Sequence, residues 1–215
     1  MRRLRPGIYT LFLALFGLLG YLAHRFQTLP GDSTVSTWLQ DITSPVFAWL
    51  MESSSTLGET IPTVITVALV AGILLLFRKR LAAAFAVALP AVSGLVNYVF
   101  KVLVDRPRPG DDLLAGGTSF PSGHTTYAAV LGGLCFYLAP RLLRSPPAVR
   151  AVQGVSVLFV LLIGASRIYL GAHQPSDVLG SLLLSGLLLT PAIALHERLA
   201  RRREVEPEVT DAGTA

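Results

Sequence analysis

The 215-residue sequence has few charged residues and a single cysteine. Asp, Glu, Lys and Arg make up 14% of the chain, whereas a soluble domain carries about 25%. Hydrophobic residues make up 52%, and the mean hydropathy is +0.60. A soluble core cannot bury so much apolar surface, so a lipid bilayer is the expected solvent. Because Cys135 is the only cysteine, an internal disulfide and a C-x-x-C motif are excluded.

Six apolar stretches approach the length of about 20 residues that a membrane-spanning helix needs. They are Ile8–Phe26, Ile61–Phe77, Leu81–Leu103, Ser122–Ala139, Ala148–Ser166 and Ser176–His196. None alternates as the strands of a membrane barrel would. The sequence therefore predicts an all-α fold, a six-helix transmembrane bundle within one domain over residues 1–200. The polar, acidic residues 201–215 are predicted to form a disordered cytoplasmic tail.

Basic residues alternate between the two ends of the predicted spans. Thirteen of the 18 Lys and Arg residues lie within residues 2–5, 78–80, 141–150 and 198–203. The positive-inside rule places these clusters and both termini in the cytoplasm, as expected of a multi-pass inner (plasma) membrane protein. The other five are on the outer side: Arg25, Lys101, Arg106, Arg108 and Arg167. Four of them fall in two short segments, which predicts an anionic ligand at the outer face.

An amphipathic outer segment follows the first span, over residues 27–60. Apolar residues recur there at helical spacing and include Trp38 and Trp49. This pattern predicts one or two short helices in the outer interface, interrupted near Pro45. A simple anchor is favoured over a substrate lid, and both interpretations stay open.

The first outer segment with candidate chemistry is "KVLVDRPRPGDD". Lys101 ends the third span, and the prolines at 107 and 109 stop the helix. Cations at a helix end often only extend to the interface. Taken alone, Lys101, Arg106 and Arg108 fit that role and anion binding equally well.

The second segment, "SFPSGHTTYA", begins the fourth span. Ser122 is its predicted N-cap, and the amides that follow form an anion site at the positive end of the helix dipole. Gly123 allows a ligand to approach the backbone closely. His124 lies in the first turn, where it is a candidate acid–base group.

The third segment, "SRIYLGAHQPSD", joins the last two spans. Arg167 offers a fork of donors that suits phosphate oxygens. Pro175 is the predicted first residue of the sixth span, so His173 lies just outside it and Asp177 lies in its first turn. The carboxylate can reach one imidazole nitrogen and leave the other as a nucleophile. A capping aspartate beside an interfacial histidine is the alternative interpretation.

Together, the three segments fit the in-line displacement of a tetrahedral phosphate group. They supply cations, a nest of amides, one histidine paired with a carboxylate and a second histidine. No metal and no cofactor are expected, because these segments contain no H-x-x-x-H or D-x-D pattern.

The same residues resemble the type-2 phosphatidic acid phosphatase superfamily of integral-membrane lipid phosphatases. Its signature is a lysine, six residues and Arg-Pro; then Pro-Ser-Gly-His; then Ser-Arg, five residues, His, three residues and Asp. The matching residues are Lys101, Arg108, Pro109, Pro121, Ser122, Gly123, His124, Ser166, Arg167, His173 and Asp177. The spacing selects Arg108 as the ligand and leaves Arg106 as its neighbour.

The resemblance implies a metal-independent hydrolysis in two steps at the outer membrane face. His173 would form a phosphohistidine, oriented by Asp177, and His124 would protonate the leaving oxygen and then help to activate water. Substrate phosphate would be held by Lys101, Arg108, Arg167 and the Ser122–Gly123 backbone, with support from Ser166. Expected partners are the bilayer and a lipid phosphate, and no nucleic acid.

The substrate and the acceptor stay open at this point. Phosphatidylglycerophosphate or phosphatidate is favoured over a polyprenyl diphosphate such as undecaprenyl diphosphate. A phosphotransferase would use the same covalent step with a lipid or sugar acceptor. A transporter or channel is disfavoured, because the predicted span interiors contain almost no ionisable residues.

Overall fold

The fold is all-α over the residues that the computed structural model describes, 6–109 and 117–211. These ranges contain α1 (Pro6–Arg25), α2 (Asp32–Gln40), α3 (Pro45–Thr56), α4 (Thr60–Leu76), α5 (Arg80–Val104), α6 (Gly123–Leu142), α7 (Pro146–Tyr169) and α8 (Pro175–Asp211). Outside the helices, one isolated antiparallel bridge joins Pro107 to Thr118. The predicted all-α class is confirmed.

Four of the helices, α1, α5, α7 and α8, are long and apolar enough to cross a membrane. A fifth span results if α3 and α4, which meet at 71°, form one bent crossing. These helices indicate a multi-pass membrane protein. Length and composition alone do not identify all six predicted spans. Helix α4, with 17 residues, is too short by itself, and the mean hydropathy of α6 is too low.

The low hydropathy of α6 follows from its central position in the bundle. Helices α5, α7 and α8 all pack against it, and twelve of its 20 residues are buried. A Cβ atom at Gly132 would lie 3.1 Å from the Ser156 carbonyl oxygen, and one at Gly133 would lie 2.4 Å from Leu189 Cδ1. A helix enclosed by protein needs small residues for close packing rather than an apolar surface against lipid.

The outer segment forms two helices, as the sequence predicts. Ser44 caps α3 by accepting a hydrogen bond from the Phe47 amide, and Pro45 is the first residue of that helix. Helix α3 packs on α7, and α2 packs on α7 and α8. Trp38 and Trp49 remain exposed. The segment therefore covers the ends of the two helices that carry the third motif.

Helix α8 continues through Asp211, and the disordered cytoplasmic tail over residues 201–215 stays a prediction. Residues 212–215 lie outside the described residues, and the domain boundary at residue 200 stays a prediction.

Candidate active site

The segment after α5 is held against the segment before α6. Lys101, in the last turn of α5, donates a hydrogen bond from Nζ to the Thr118 carbonyl at 2.5 Å. The Ser119 amide donates to the Arg106 carbonyl at 2.7 Å. Asp105 ends α5 in the left-handed conformation, with φ of 46°. These contacts bring the first motif next to the second.

The start of α6 is joined to the start of α8 through backbone and hydroxyl contacts. Ser122 Oγ accepts from the Thr125 amide, which confirms the predicted N-cap. The Ser122 amide lies 3.4 Å from the Asp177 carbonyl, and the Ser181 hydroxyl donates to the carbonyls of both residues. Because the Ser122 amide faces that carbonyl, Gly123 is the more accessible part of the predicted amide nest.

The end of α7 turns back so that His173 lies over the last turn of that helix. Gly171 has φ of 66°, a left-handed conformation that favours glycine at a helix C-terminus. The amides of residues 172 and 173 both donate to the Arg167 carbonyl at 3.1 Å. Ser166 is fully buried and donates its hydroxyl to the Ile163 carbonyl. Pro175 begins α8, as predicted.

His173 and Asp177 form a buried pair at this junction. His173 Nδ1 lies 3.5 Å from Asp177 Oδ2, and the side chains are 2% and 0% exposed. The same carboxylate oxygen accepts from the Gln174 amide at 2.9 Å. Burial lowers the pKa of His173 to about 4, although Asp177 opposes the shift. The imidazole is therefore neutral at pH 7, with Nδ1 towards the carboxylate and Nε2 as its other ring nitrogen.

Three cationic side chains act on His124, and two of them also act on His173. Lys101, Arg108 and Arg167 interact electrostatically with His124, and Lys101 and Arg167 also with His173. Arg167 donates from Nη1 to Ser55 Oγ on α3, while its buried Nε has no hydrogen-bond partner among the described residues. Arg108 is exposed. The arrangement concentrates positive charge where the sequence predicts a phosphate site.

His124 borders a cavity of about 390 Å³ that opens at the break between α3 and α4. Residues 58–61 line the rest of it. A Cβ atom at Gly58 would lie 2.4 Å from His124 Cδ2 and 2.8 Å from Cγ. The absence of a side chain at position 58 therefore leaves room for the imidazole.

Gly58→Ala is expected to displace the His124 ring and to lower kcat by about 10-fold or more, because a small misplacement of a reacting group is costly. Phosphate release by the purified variant measures the effect. Gly72→Ala is the matched control, since nothing lies within 4 Å of a Cβ atom at that position in α4. Equal activity of the two variants would contradict the assigned position of His124.

Arg106 and Asp32 belong to the site, although the motif spacing leaves Arg106 only as the neighbour of Arg108 and the sequence gives Asp32 no role. Arg106 is fully buried, with Nη1 2.6 Å from Asp177 Oδ1 and Nη2 3.0 Å from Asp32 Oδ2. The sequence contains one indication of a role for Arg106. The Arg-Pro pair occurs twice, and the motif spacing accounts only for the second pair, at Arg108. Asp32 is separated from Arg106 by 74 residues, and no local pattern connects them.

Metal ligands do not cluster in residues 6–109 and 117–211, where no group of three His, Cys, Asp or Glu residues could hold an ion. Metal independence stays a prediction.

The comparison that decides the family covers the three motifs together. A family model described as the PAP2 superfamily matches residues 79–201. The chain belongs to the PAP2 superfamily. It is accordingly an enzyme, a lipid phosphatase that hydrolyses phosphate esters, as the sequence predicts.

Two curated relatives from Bacillus subtilis (strain 168) match the chain. Phosphatidylglycerophosphatase B is 27% identical over 198 residues, which cover 91% of this chain and 97% of that protein. Undecaprenyl-diphosphatase BcrC is 39% identical over 102 residues, which cover 44% of this chain and 48% of that protein.

Two solved structures share the fold. The PAP2-type phosphatidylglycerolphosphate phosphatase from Bacillus subtilis has a TM-score of 0.77 at 24% identity, covering 88% of this chain and 96% of that one. LpxE from Aquifex aeolicus has a TM-score of 0.55 at 22% identity, covering 76% and 94%.

Proposed function

We propose that the protein hydrolyses the phosphate monoester of a membrane phospholipid of the phosphatidylglycerophosphate or phosphatidate class, through a phosphohistidine. The observation that carries the proposal is the buried His173–Asp177 pair beside His124 and three cations. The phosphatidylglycerophosphatase B relative supports the phospholipid class, because the similarity extends over 97% of its length.

In the first step, Nε2 of His173 attacks phosphorus and the bond from phosphorus to the lipid oxygen breaks. The lipid oxygen keeps the electron pair and takes a proton from the imidazolium form of His124, which the bound phosphate dianion stabilises. The phosphorylated imidazole carries a positive charge that the Asp177 carboxylate stabilises. Lys101, Arg108, Arg167 and the Gly123 backbone hold the equatorial oxygens, whose charge is greatest in the transition state.

In the second step, a water molecule attacks phosphorus and gives a proton to His124. The bond from phosphorus to Nε2 breaks, and its electron pair returns to His173. Inorganic phosphate then leaves, and both histidines are restored to their starting protonation states. The direction of proton transfer through His124 reverses between the steps, as one acid–base group permits.

The proposed topology has six spans, formed by α1, α4, α5, α6, α7 and α8, with both termini in the cytoplasm and the site on the outer face. It is supported by the basic clusters at alternate helix ends and by the central burial of α6. Single cysteines in a Cys135→Ser background test it in intact cells. A membrane-impermeant maleimide is expected to label Thr56→Cys but not Ser145→Cys. The opposite result would show that the orientation is reversed.

A polyprenyl diphosphate is the second candidate substrate. The 39% identity to undecaprenyl-diphosphatase BcrC favours it, although that similarity spans only 48% of the relative. Glu59 lines the cavity beside His124. Its carboxylate would repel a polyprenyl phosphate, whose terminal phosphate is the leaving group itself, more than a diacylglycerol or a phosphatidylglycerol, whose single phosphodiester charge is farther from the reacting phosphorus. The phospholipid class is therefore preferred.

Phosphate release from three micellar lipids in excess EDTA tests the function. Phosphatidylglycerophosphate or phosphatidate is expected to turn over at least about 10-fold faster than undecaprenyl diphosphate, judged by kcat/KM. The reverse order would support the second candidate. Dependence on added metal would contradict the mechanism, and phosphate that appeared on an added lipid or sugar alcohol would indicate a transferase.

A further inference from the structure

Arg106 is the centre of a buried ionic network. Its five N–H groups have five hydrogen-bond contacts within the protein: Nε and Nη2 to the Gln27 carbonyl, Nη1 to Ser176 Oγ and Asp177 Oδ1, and Nη2 to Asp32 Oδ2. The side chain is 0% exposed. An arginine with this environment has no donor left for a substrate, so it cannot act as the phosphate ligand that its neighbour Arg108 offers.

Asp32 links the outer segment to the start of α8. Its Oδ1 accepts from the Ser176 amide at 2.9 Å, and its Oδ2 accepts from the Ser176 hydroxyl at 2.7 Å. Ser176 is the second residue of α8, so a carboxylate from α2 meets an amide at the positive end of that helix, where negative charge is stabilised. The Leu29 amide also donates to Oδ2 and holds the carboxylate in place.

We propose that Arg106 and Asp32 are positioning residues of the phosphoryl-transfer reaction, which hold Asp177 in register with His173. The inference rests on the proposed function, since it assigns a purpose to the orientation of that pair. Arg106 fixes Oδ1 of Asp177 at 2.6 Å, and the Gln174 amide fixes Oδ2. With both oxygens held, Oδ2 faces Nδ1 of His173.

The charges of the network suit this role. Asp32, Arg106 and Asp177 together carry one net negative charge, because one guanidinium is shared between two carboxylates. A neutral pair would do less to stabilise the positive imidazole that forms when His173 is phosphorylated. In a site this deeply buried, the attraction between opposite charges is weakly screened. Asp32 therefore supports the transition state through Arg106 without touching the substrate.

Arg106→Lys is the first test. Lysine keeps the positive charge but has three donors on one nitrogen instead of five on a planar fork, so it cannot reproduce the separate contacts of Nε, Nη1 and Nη2. We expect kcat and the rate of phosphohistidine formation to fall by about 10- to 100-fold, the loss typical of partners that orient a functional histidine. The inhibition constant for inorganic phosphate should stay within about 3-fold of wild type, because the phosphate ligands remain.

Arg108→Lys is the matched control, since the same substitution is made at the exposed arginine two residues away. It should weaken phosphate inhibition, which distinguishes a ligand from a positioning residue. If Arg106→Lys weakened phosphate inhibition as much as it lowered kcat, Arg106 would be a ligand and the inference would be wrong.

Asp32→Asn provides a second test that does not alter Arg106. It removes the excess negative charge, so phosphohistidine formation should slow about 10-fold or more while phosphate inhibition is unchanged. The double variant with Arg106→Lys should lose less than the product of the single losses, because both act through Asp177.

Tyr137→Phe controls for stability. The Tyr137 hydroxyl shares a buried hydrogen bond with His196 Nδ1. Tyr137 lies 14 residues after the start of α6, which is about 20 Å along the helix. This variant should lower the unfolding temperature without changing the phosphorylation rate. Wild-type phosphorylation rates in Arg106→Lys or Asp32→Asn, with only their unfolding temperatures reduced, would leave the network a structural role and overturn the inference.

Trapping experiments on the wild-type protein distinguish a failure of the proposed function from a failure of the positioning role. If denatured wild-type protein carries no phosphoryl group on His173 after rapid quenching, the proposed function fails. If it carries one, and the Arg106 and Asp32 variants form it at the wild-type rate, only the positioning role fails.

Discussion

The His173→Ala variant is expected to lose phosphate release from lipid substrates by about 10⁵-fold or more, and to form no phosphoenzyme. Removing a covalent nucleophile eliminates the main reaction route, and the residual rate comes from binding and electrostatic stabilisation alone. Because burial lowers the pKa of His173, the neutral, nucleophilic imidazole is favoured at pH 7. Release of radiolabelled phosphate and acid-quench trapping of the labelled protein measure the two effects.

His196→Ala is the matched control for this prediction. It makes the same change at a histidine near the opposite end of the bundle, where Nδ1 is hydrogen-bonded to the Tyr137 hydroxyl. Its kcat should stay within a few-fold of wild type once unfolding is accounted for. If His173→Ala retained a tenth of the wild-type rate, a covalent histidine mechanism would be untenable.

The local framework of the site could be predicted because short-range rules determine it. Ser122 caps α6 and Pro175 begins α8, as their positions before apolar runs indicate. The four-residue spacing of His173 and Asp177 places both at one helix start, where the 3.5 Å contact occurs. Each of these features depends on residues within one turn of each other.

The six predicted spans are not recovered from helix length and hydropathy alone, because burial changes the composition of a helix. Hydropathy assumes that a spanning helix faces lipid, whereas α6 faces α5, α7 and α8. Its glycines allow close helix contact and reduce its apolar character at the same time. A sequence window does not distinguish a helix enclosed by protein from one that is too polar to span.

The ionic network lay beyond sequence reasoning for a different reason. Arg106 meets Asp32 and Asp177 across 74 and 71 residues, and such pairs are defined only when α2 folds onto the start of α8. The sequence favours an anchor over a lid for the outer segment, and neither interpretation includes a buried carboxylate. Its contacts through Asp32 and Ser55 connect it directly to the residues that carry the chemistry.

The His124→Gln variant is expected to affect substrates according to their leaving groups. A lipid alkoxide needs a proton as it departs, so kcat for phospholipid should fall by about 10²- to 10⁴-fold, the usual contribution of a general acid or base. The p-nitrophenolate ion leaves readily without a proton. Formation of the phosphoenzyme from p-nitrophenyl phosphate should therefore slow by no more than about 10-fold.

Hydrolysis of the phosphoenzyme still requires a base for water, and that base is also His124. The variant should consequently release one burst of p-nitrophenol per protein molecule and then accumulate phosphohistidine, whereas wild type turns over continuously. Rapid mixing with absorbance detection and quantitative trapping measure the burst and the intermediate. Equal losses for the two substrates, with no accumulated intermediate, would mean that His124 binds phosphate rather than transferring protons, and the second histidine would then be only another ligand of the pocket.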